Sequence, residues 1–300
     1  MGLPEEKLNM KFYKGEDIYS DGDIEDLILQ ELQENGNVMD ILLNHDEWPF
    51  LYHLSPIREN ILEWYNFDPE GTVLEIGSGC GAISGLLCEK CKRVVGIDLS
   101  QKRSLINATK NRKFDNLEIM VGNFEDIKLD EKFDYVTLIG VLEYSIYYIN
   151  DEKPFETMLE RAKSYLKPDG KLIIAIENKY GMKYWAGATE DHTGGMFDGI
   201  QNYKGVDRVR TFSRGKLESM MINAGFNQND FYYPIPDYKM PSVIYSDEYL
   251  PSEGNIRNVI NNYDRDRYLF FDEELAFDSV CEDDLFKEFA NSFLVISSQR

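Results

Sequence analysis

Along the middle of the chain, short apolar runs alternate with stretches of helical period. Residues 72–76, 93–97, 117–121, 133–139 and 171–176 are brief and rich in Val and Ile, so they read as buried parallel strands. Between them, 82–90, 101–112 and 154–166 carry apolar residues at helical spacing, and Ser100 stands where it can cap the second. This alternation predicts an α/β sheet with helices on both faces. Residues 1–68 show helical patterns at 24–32 and 55–65 and no convincing strand, which predicts a helical cap. Farther on, 212–224 reads as a helix capped by Ser213 and stopped by Gly225, followed by a sixth strand at 226–233 and a seventh at 292–298. The segments at about 178–210 and 236–289 have no clear pattern. Unpatterned lengths of that order usually form lids or binding loops. The expected organisation is a cap over 1–68 and an α/β domain over 69–300 carrying two lid insertions.

Charge narrows the function classes. Against 32 basic residues stand 54 acidic ones, a formal net charge of -22. Such a balance repels a phosphate backbone, so nucleic acid is not an expected partner. The densest basic stretch, 101–113, has no aromatic interleaving and reads as a solvated helix face. No apolar run approaches the length of a membrane span, and the first 17 residues lack the apolar stretch of a secretory signal. Four cysteines in 300 residues suggest no disulfide framework, so a soluble, cytoplasmic chain is expected. Cys88 and Cys91 form a lone CxxC with no second pair to complete a zinc site; no metal is expected, and the two read as packing at a helix end.

The chemistry begins where the first strand of the series runs into Gly77, Gly79 and Gly81. A strand, a glycine turn and a helix form a nucleotide-binding unit. Ala82 keeps a nicotinamide fingerprint open by spacing. Glu75 argues against it, because a carboxylate is a poor neighbour for pyrophosphate and a good one for a cationic ligand. The second strand ends on Asp98, an acidic residue suited to a ribose diol, although it also suits a helix N-terminus. At the third strand end, Asn123 and Phe124 could read and stack an adenine; core packing is the plainer role for Phe124.

Leu74–Gly81, Gly96–Ser100, Phe133–Val136 and Leu166–Leu172 together resemble the successive motifs of class I S-adenosylmethionine-dependent methyltransferases. The resemblance implies a Rossmann-like seven-stranded sheet with an antiparallel last strand. It implies S-adenosylmethionine as cofactor, contacted by Glu75, Gly77, Ser78, Gly79, Gly81, Asp98, Leu99, Asn123, Phe124 and Gly140. Glu75 and Gly77 would face the methionyl end, Asp98 the ribose, and Gly140, Val141 and Leu142 the far side. Asn123 departs from the family, where an acidic residue is common. The segments 52–58, 177–181, 185–187, 190–194 and 232–241 resemble a narrower group, the methyltransferase domains of bacterial surface-polysaccharide biosynthesis, some fused to glycosyltransferases. That implies a sugar, glycan or other small-molecule hydroxyl as acceptor, and a glycosyltransferase as partner or fusion.

A hydroxyl acceptor needs a group to take its proton. His192, flanked by Glu190 and Asp191 after the fifth strand, is the first candidate base, with Glu177 and His53 in reserve. Tyr180, Tyr184, Trp185, Tyr203 and Tyr232 could stack on a pyranose, although half-buried packing explains any single one. Three rivals stand beside O-methylation: N-methylation of a peptide or small amine, a cofactor-binding module without turnover, and a nicotinamide oxidoreductase.

Overall fold

The computed structural model describes residues 3–15, 17, 20–206, 209–257 and 265–300, and they fall into two compact units. The first comprises Met1–Leu138 with Tyr165–Gly170, the second Ile139–Ser164 with Lys171–Arg300.

In the first unit, strands β1 (Leu8–Asn9), β2 (Thr72–Ile76), β3 (Arg93–Asp98), β4 (Leu117–Val121) and β5 (Phe133–Ile139) run parallel in the order β1-β4-β3-β2-β5. Val73, Leu74, Val94, Val95, Ile119, Val121 and Val136 are wholly buried, as continuous apolar runs between two helical layers require. The order reverses beside β2, with β3 on one side and β5 on the other. Ligands of open α/β sheets collect at the carboxyl ends of strands flanking such a reversal.

The N-terminal region is helical, as expected, but it adds β1. That strand pairs Leu8 with Ile119 and Asn9 with Met120, and two residues are too few to leave a pattern. Helices Asp23–Glu34, Val38–Asn44 and Trp48–Leu54 bury Ile28, Leu32, Ile41, Phe50 and Leu54 against Cys80 of the glycine turn and Ile106. The helix expected at 55–65 divides into a 3-10 turn, Pro56–Glu59, and a short helix, Asn60–Glu63. The basic stretch is not wholly a solvated face. Arg103 is buried, donating to Glu25 at 2.6 Å and to Asp21 at 2.7 Å. Breaking a buried pair of this kind costs about 3–5 kcal/mol, so the bond ties the helical segment to helix Gln101–Lys110.

The second unit is antiparallel. Strands β6 (Leu166–Glu177, whose first five residues belong to the first unit), β7 (Gln228–Ile235), β8 (Val243–Ser246) and β9 (Ser292–Ser298) stand in the order β6-β9-β7-β8. The fold is therefore Rossmann-like with mixed strand directions and nine strands, where seven were expected. The additions are β1 and β8, and β8 lies inside a segment read as a lid. That segment also holds helices Glu273–Glu282 and Phe286–Phe289, while the earlier one holds Met182–Trp185. The parts of these segments at 207–208 and 258–264 lie outside the described residues. Among the described residues, no helix is long and apolar enough to cross a membrane.

Candidate functional site

The first unit builds a nucleotide cradle at the end of β2. Gly77 and Ser78 both donate their N–H to the Ile97 carbonyl, at 2.8 and 3.0 Å, which holds the turn against β3. Gly77, Gly79 and Gly81 all have positive φ. Two of them are glycine for opposite reasons. A Cβ on Gly79 would meet nothing within 4 Å, whereas a Cβ on Gly81 would lie 2.3 Å from Asn107 Oδ1. Gly79 faces open space suited to a ligand, and Gly81 is packed shut.

The acidic residues of this cradle are held in place. Asp98 is half-buried, with Oδ2 accepting from the Gly79 N–H at 2.8 Å and Oδ1 from Ser100 N–H at 3.0 Å. Burial raises its pKa, opposed by those two backbone donors. Each oxygen keeps a lone pair, so a diol can still be accepted. Glu75 accepts from Ser84 Oγ at 2.5 Å, and Ser84 in turn accepts from Asn107. Burial pushes the Glu75 carboxyl up to about 7, against the pull of Ser84. Ser78 Oγ is buried with no hydrogen-bond partner among the described residues, and Leu99 is half-buried beside Asp98. Asn123 caps its own turn, its Oδ1 accepting from Glu125 N–H at 3.0 Å, and Phe124 is buried against Tyr165. An open glycine turn and a fixed aspartate fit an adenosine cofactor.

The remaining candidates divide between the units. His53 sits in the first, buried, with Nε2 at 3.0 Å from Asp21 Oδ2; burial lowers its pKa and the Asp21 bond raises it, with the lowering dominant. The other two candidate bases belong to the second unit. Gly140 belongs to the second unit, donating to the Ala175 carbonyl at 2.9 Å. A Cβ there would strike Tyr238 Oη at 2.7 Å.

The second unit brings His192 and Glu177 together and adds Glu143, which the sequence reading passed over. Glu177 Oε2 lies 3.5 Å from His192 Nε2, and its other oxygen accepts from Lys239 Nζ at 2.5 Å. Glu143, in the turn Leu142–Tyr144, is wholly buried, and neither of its oxygens has a hydrogen-bond partner among the described residues. The signal for it was an acid one position beyond Gly140-Val141-Leu142, at a strand's carboxyl end where ligands collect.

Loop contacts fix the histidine. Glu190 Oε2 accepts from the N–H groups of His192 and Thr193 at 2.8 and 2.7 Å, while Tyr144 Oη lies 3.1 Å from His192 Nδ1. Asp191 is not oriented toward the ring; it is held by Lys183, Lys239 and Tyr184. The expected tyrosine platform loses two members, since Tyr184 and Tyr203 are buried with hydroxyls committed to Asp191 and to Glu190.

Electrostatics follow from this crowding. Burial works to lower the His192 pKa, but the carboxylates of Glu177, Glu143 and Glu190 outweigh it and raise the ring to about 9. Burial, with the Glu177 charge added, pushes Glu143 up to about 8. Burial also opposes ionisation of Glu177, yet Lys239 and His192 hold it well below the usual carboxylate range. One atom from each of Glu143, Glu177 and His192 lies within 4.8 Å of the others, a donor set able to hold a cation.

A family model described as a methyltransferase domain matches residues 67–225, more than half of the 300-residue chain. An uncharacterized methyltransferase of Staphylococcus carnosus is 31% identical over 142 residues, covering 47% of this chain and 58% of the relative. A bifunctional methyltransferase of Rickettsia conorii is 30% identical over 210 residues, 60% of this chain and 39% of that one. The chain thus spans only about half the length of the curated relatives it matches. Among solved structures, a SAM-dependent methyltransferase from Thermotoga maritima is similar at 18% identity and a TM-score of 0.47, covering 91% of this chain and 100% of that one. The chain belongs to the methyltransferase domain family, and S-adenosylmethionine is its methyl donor.

Proposed function

We propose that this enzyme methylates a hydroxyl of a small polar acceptor, a sugar or glycan, with the first unit holding the donor and Glu143, Glu177 and His192 of the second unit serving the acceptor. S-adenosylmethionine supplies an electrophilic methyl group on sulfur, so the protein has mainly to orient the attacking oxygen and receive its proton. One observation supports this reading above the rest: both buried oxygens of Glu143 have no hydrogen-bond partner among the described residues. Buried polar groups in native proteins are nearly always satisfied, so unspent acceptors mark where a donor-bearing ligand goes.

The sugar assignment rests on the resemblance of segments 52–58, 177–181 and 190–194 to polysaccharide methyltransferases. On the same footing we place the chain in the cytoplasm, working beside a glycosyltransferase, with residues 1–68 as a cap and the two insertions on the acceptor side. The paired carboxylates favour a second reading, an ammonium-bearing acceptor methylated on nitrogen.

Incubating the chain with labelled S-adenosylmethionine, a panel of mono- and disaccharides and a matched panel of amines separates the two. A methyl ether on a sugar is the expected product. Methylation confined to nitrogen would give the site to the amine reading.

A further inference from the structure

We propose that Glu143, Glu177 and His192 form a binding site for one divalent transition cation, whose open positions take the acceptor's hydroxyl oxygens. The inference rests on the reading of this cluster as the acceptor end.

The donor atoms come first. Glu143 and Glu177 are 0% exposed; neither Glu143 oxygen has a hydrogen-bond partner among the described residues, and Glu177 Oε2 and His192 Nε2 meet each other as a long ion pair at 3.5 Å. Leaving such groups bare inside a protein is costly, and a buried charge is retained when it is paired or coordinates a metal. The neighbouring ammonium does not answer the need. Lys239 binds Glu177 through Oε1 and is shared with Asp191 at 2.8 Å, so Oε2 remains turned to the cluster.

Geometry agrees. An ion bonding at roughly 2.0–2.2 Å sets its ligand atoms roughly 3–4.4 Å apart. The His192 Nε2–Glu177 Oε2 separation of 3.5 Å is within that range, and the trio as a whole lies within 4.8 Å. Side-chain adjustment of a few tenths of an ångström closes it.

The outer contacts are those of a ligating histidine. Such a ring commonly donates its second N–H to a fixed oxygen, which sets the tautomer and frees the other nitrogen. Tyr144 Oη at 3.1 Å from Nδ1 supplies that oxygen, and Glu190 anchors the backbone N–H of the same residue. Ligand identity selects the metal: one imidazole with two carboxylates suits Mn²⁺, Fe²⁺ or Zn²⁺ better than Mg²⁺ or Ca²⁺, which prefer oxygen alone.

Mn²⁺ is the probe, titrated into the full chain freed of metal with EDTA and followed by electron paramagnetic resonance. One ion per chain is expected, with an imidazole-nitrogen modulation in its spin-echo spectrum from His192. Glu143→Gln should weaken binding by at least about 100-fold, the upper end for losing even an outer-sphere partner, while affinity for S-adenosylhomocysteine is unchanged. No binding by wild type, or a bound ion lacking the nitrogen signal, overturns the site without any variant having to fold. Sugar methylation that persists undiminished in EDTA also overturns the ion and leaves the hydroxyl reading standing. Stoichiometric Mn²⁺ with the nitrogen signal but no methylated hydroxyl supports the ion and counts against that reading.

Discussion

One buried carboxylate of the second unit is treated differently from those of the first. In the first, Glu25 lies against Arg103 and Glu75 accepts from Ser84, so each has a donor supplied by the fold. In the second, Glu143 is equally buried and has none among the described residues. Lys239, Lys183, Asp191 and Asp237 surround the cluster with ion pairs, yet those pairs stop short of its inward atoms. The two first-unit carboxylates are satisfied as folded. Glu143 is left without a hydrogen bond among the described residues, a pattern expected where stability yields to function.

The sharpest way to break this contrast is His192→Ala. If the second unit's cluster does the chemistry, turnover should fall roughly 10²–10⁴-fold while affinity for S-adenosylhomocysteine stays nearly intact. Rates equal to wild type would make His192 a loop residue and leave the unsatisfied cluster without a catalytic meaning. Asp98→Ala tests the other side. Losing two charge-assisted bonds to a ribose should weaken cofactor binding by about 2–4 kcal/mol, measured by calorimetry on a variant whose fold is checked by circular dichroism. An unchanged dissociation constant would remove Asp98 from the cradle.

A smaller effect probes burial in the first unit. The Glu75 carboxyl is raised to about 7 in the folded chain against an ordinary value of 4.5. A raised carboxyl favours folding most when it is protonated in both states, so its contribution is present below about pH 4.5 and fades as pH rises through about 7. Wild type should therefore lose on the order of 3 kcal/mol relative to Glu75→Gln across that window and run parallel to it above. Parallel melting curves throughout would mean that Ser84 solvates the charge fully.

What the sequence disclosed follows from the range over which each signal acts. Strands β2, β4 and β5 are apolar runs, and their bounds match the pattern to the residue. Ser100 does cap helix Gln101–Lys110, accepting from Arg103 N–H. Ser213 begins its helix without a side-chain bond, because residue type marks a cap position and not its geometry. Strand β1 is too short for any periodicity to register. Arg103 looked solvated because its partners, Glu25 and Asp21, lie 78 and 82 residues away. Of the acceptor cluster, His192 and Glu177 were found as residue types after a strand, while Glu143 joins them only through folding.

The glycines of the β2 turn give the motif a divided meaning. Gly81 is shut in by Asn107 and Asn111, which belong to the scaffold, whereas Gly79 looks into open space. A side chain at 81 would collide with that scaffold, whereas at 79 only the positive φ stands against one. When the turn is scored as a single signature, a retired relative that preserves the packing glycine still scores as an active one. Of the two positions, 79 is the one whose missing neighbours a ligand would supply.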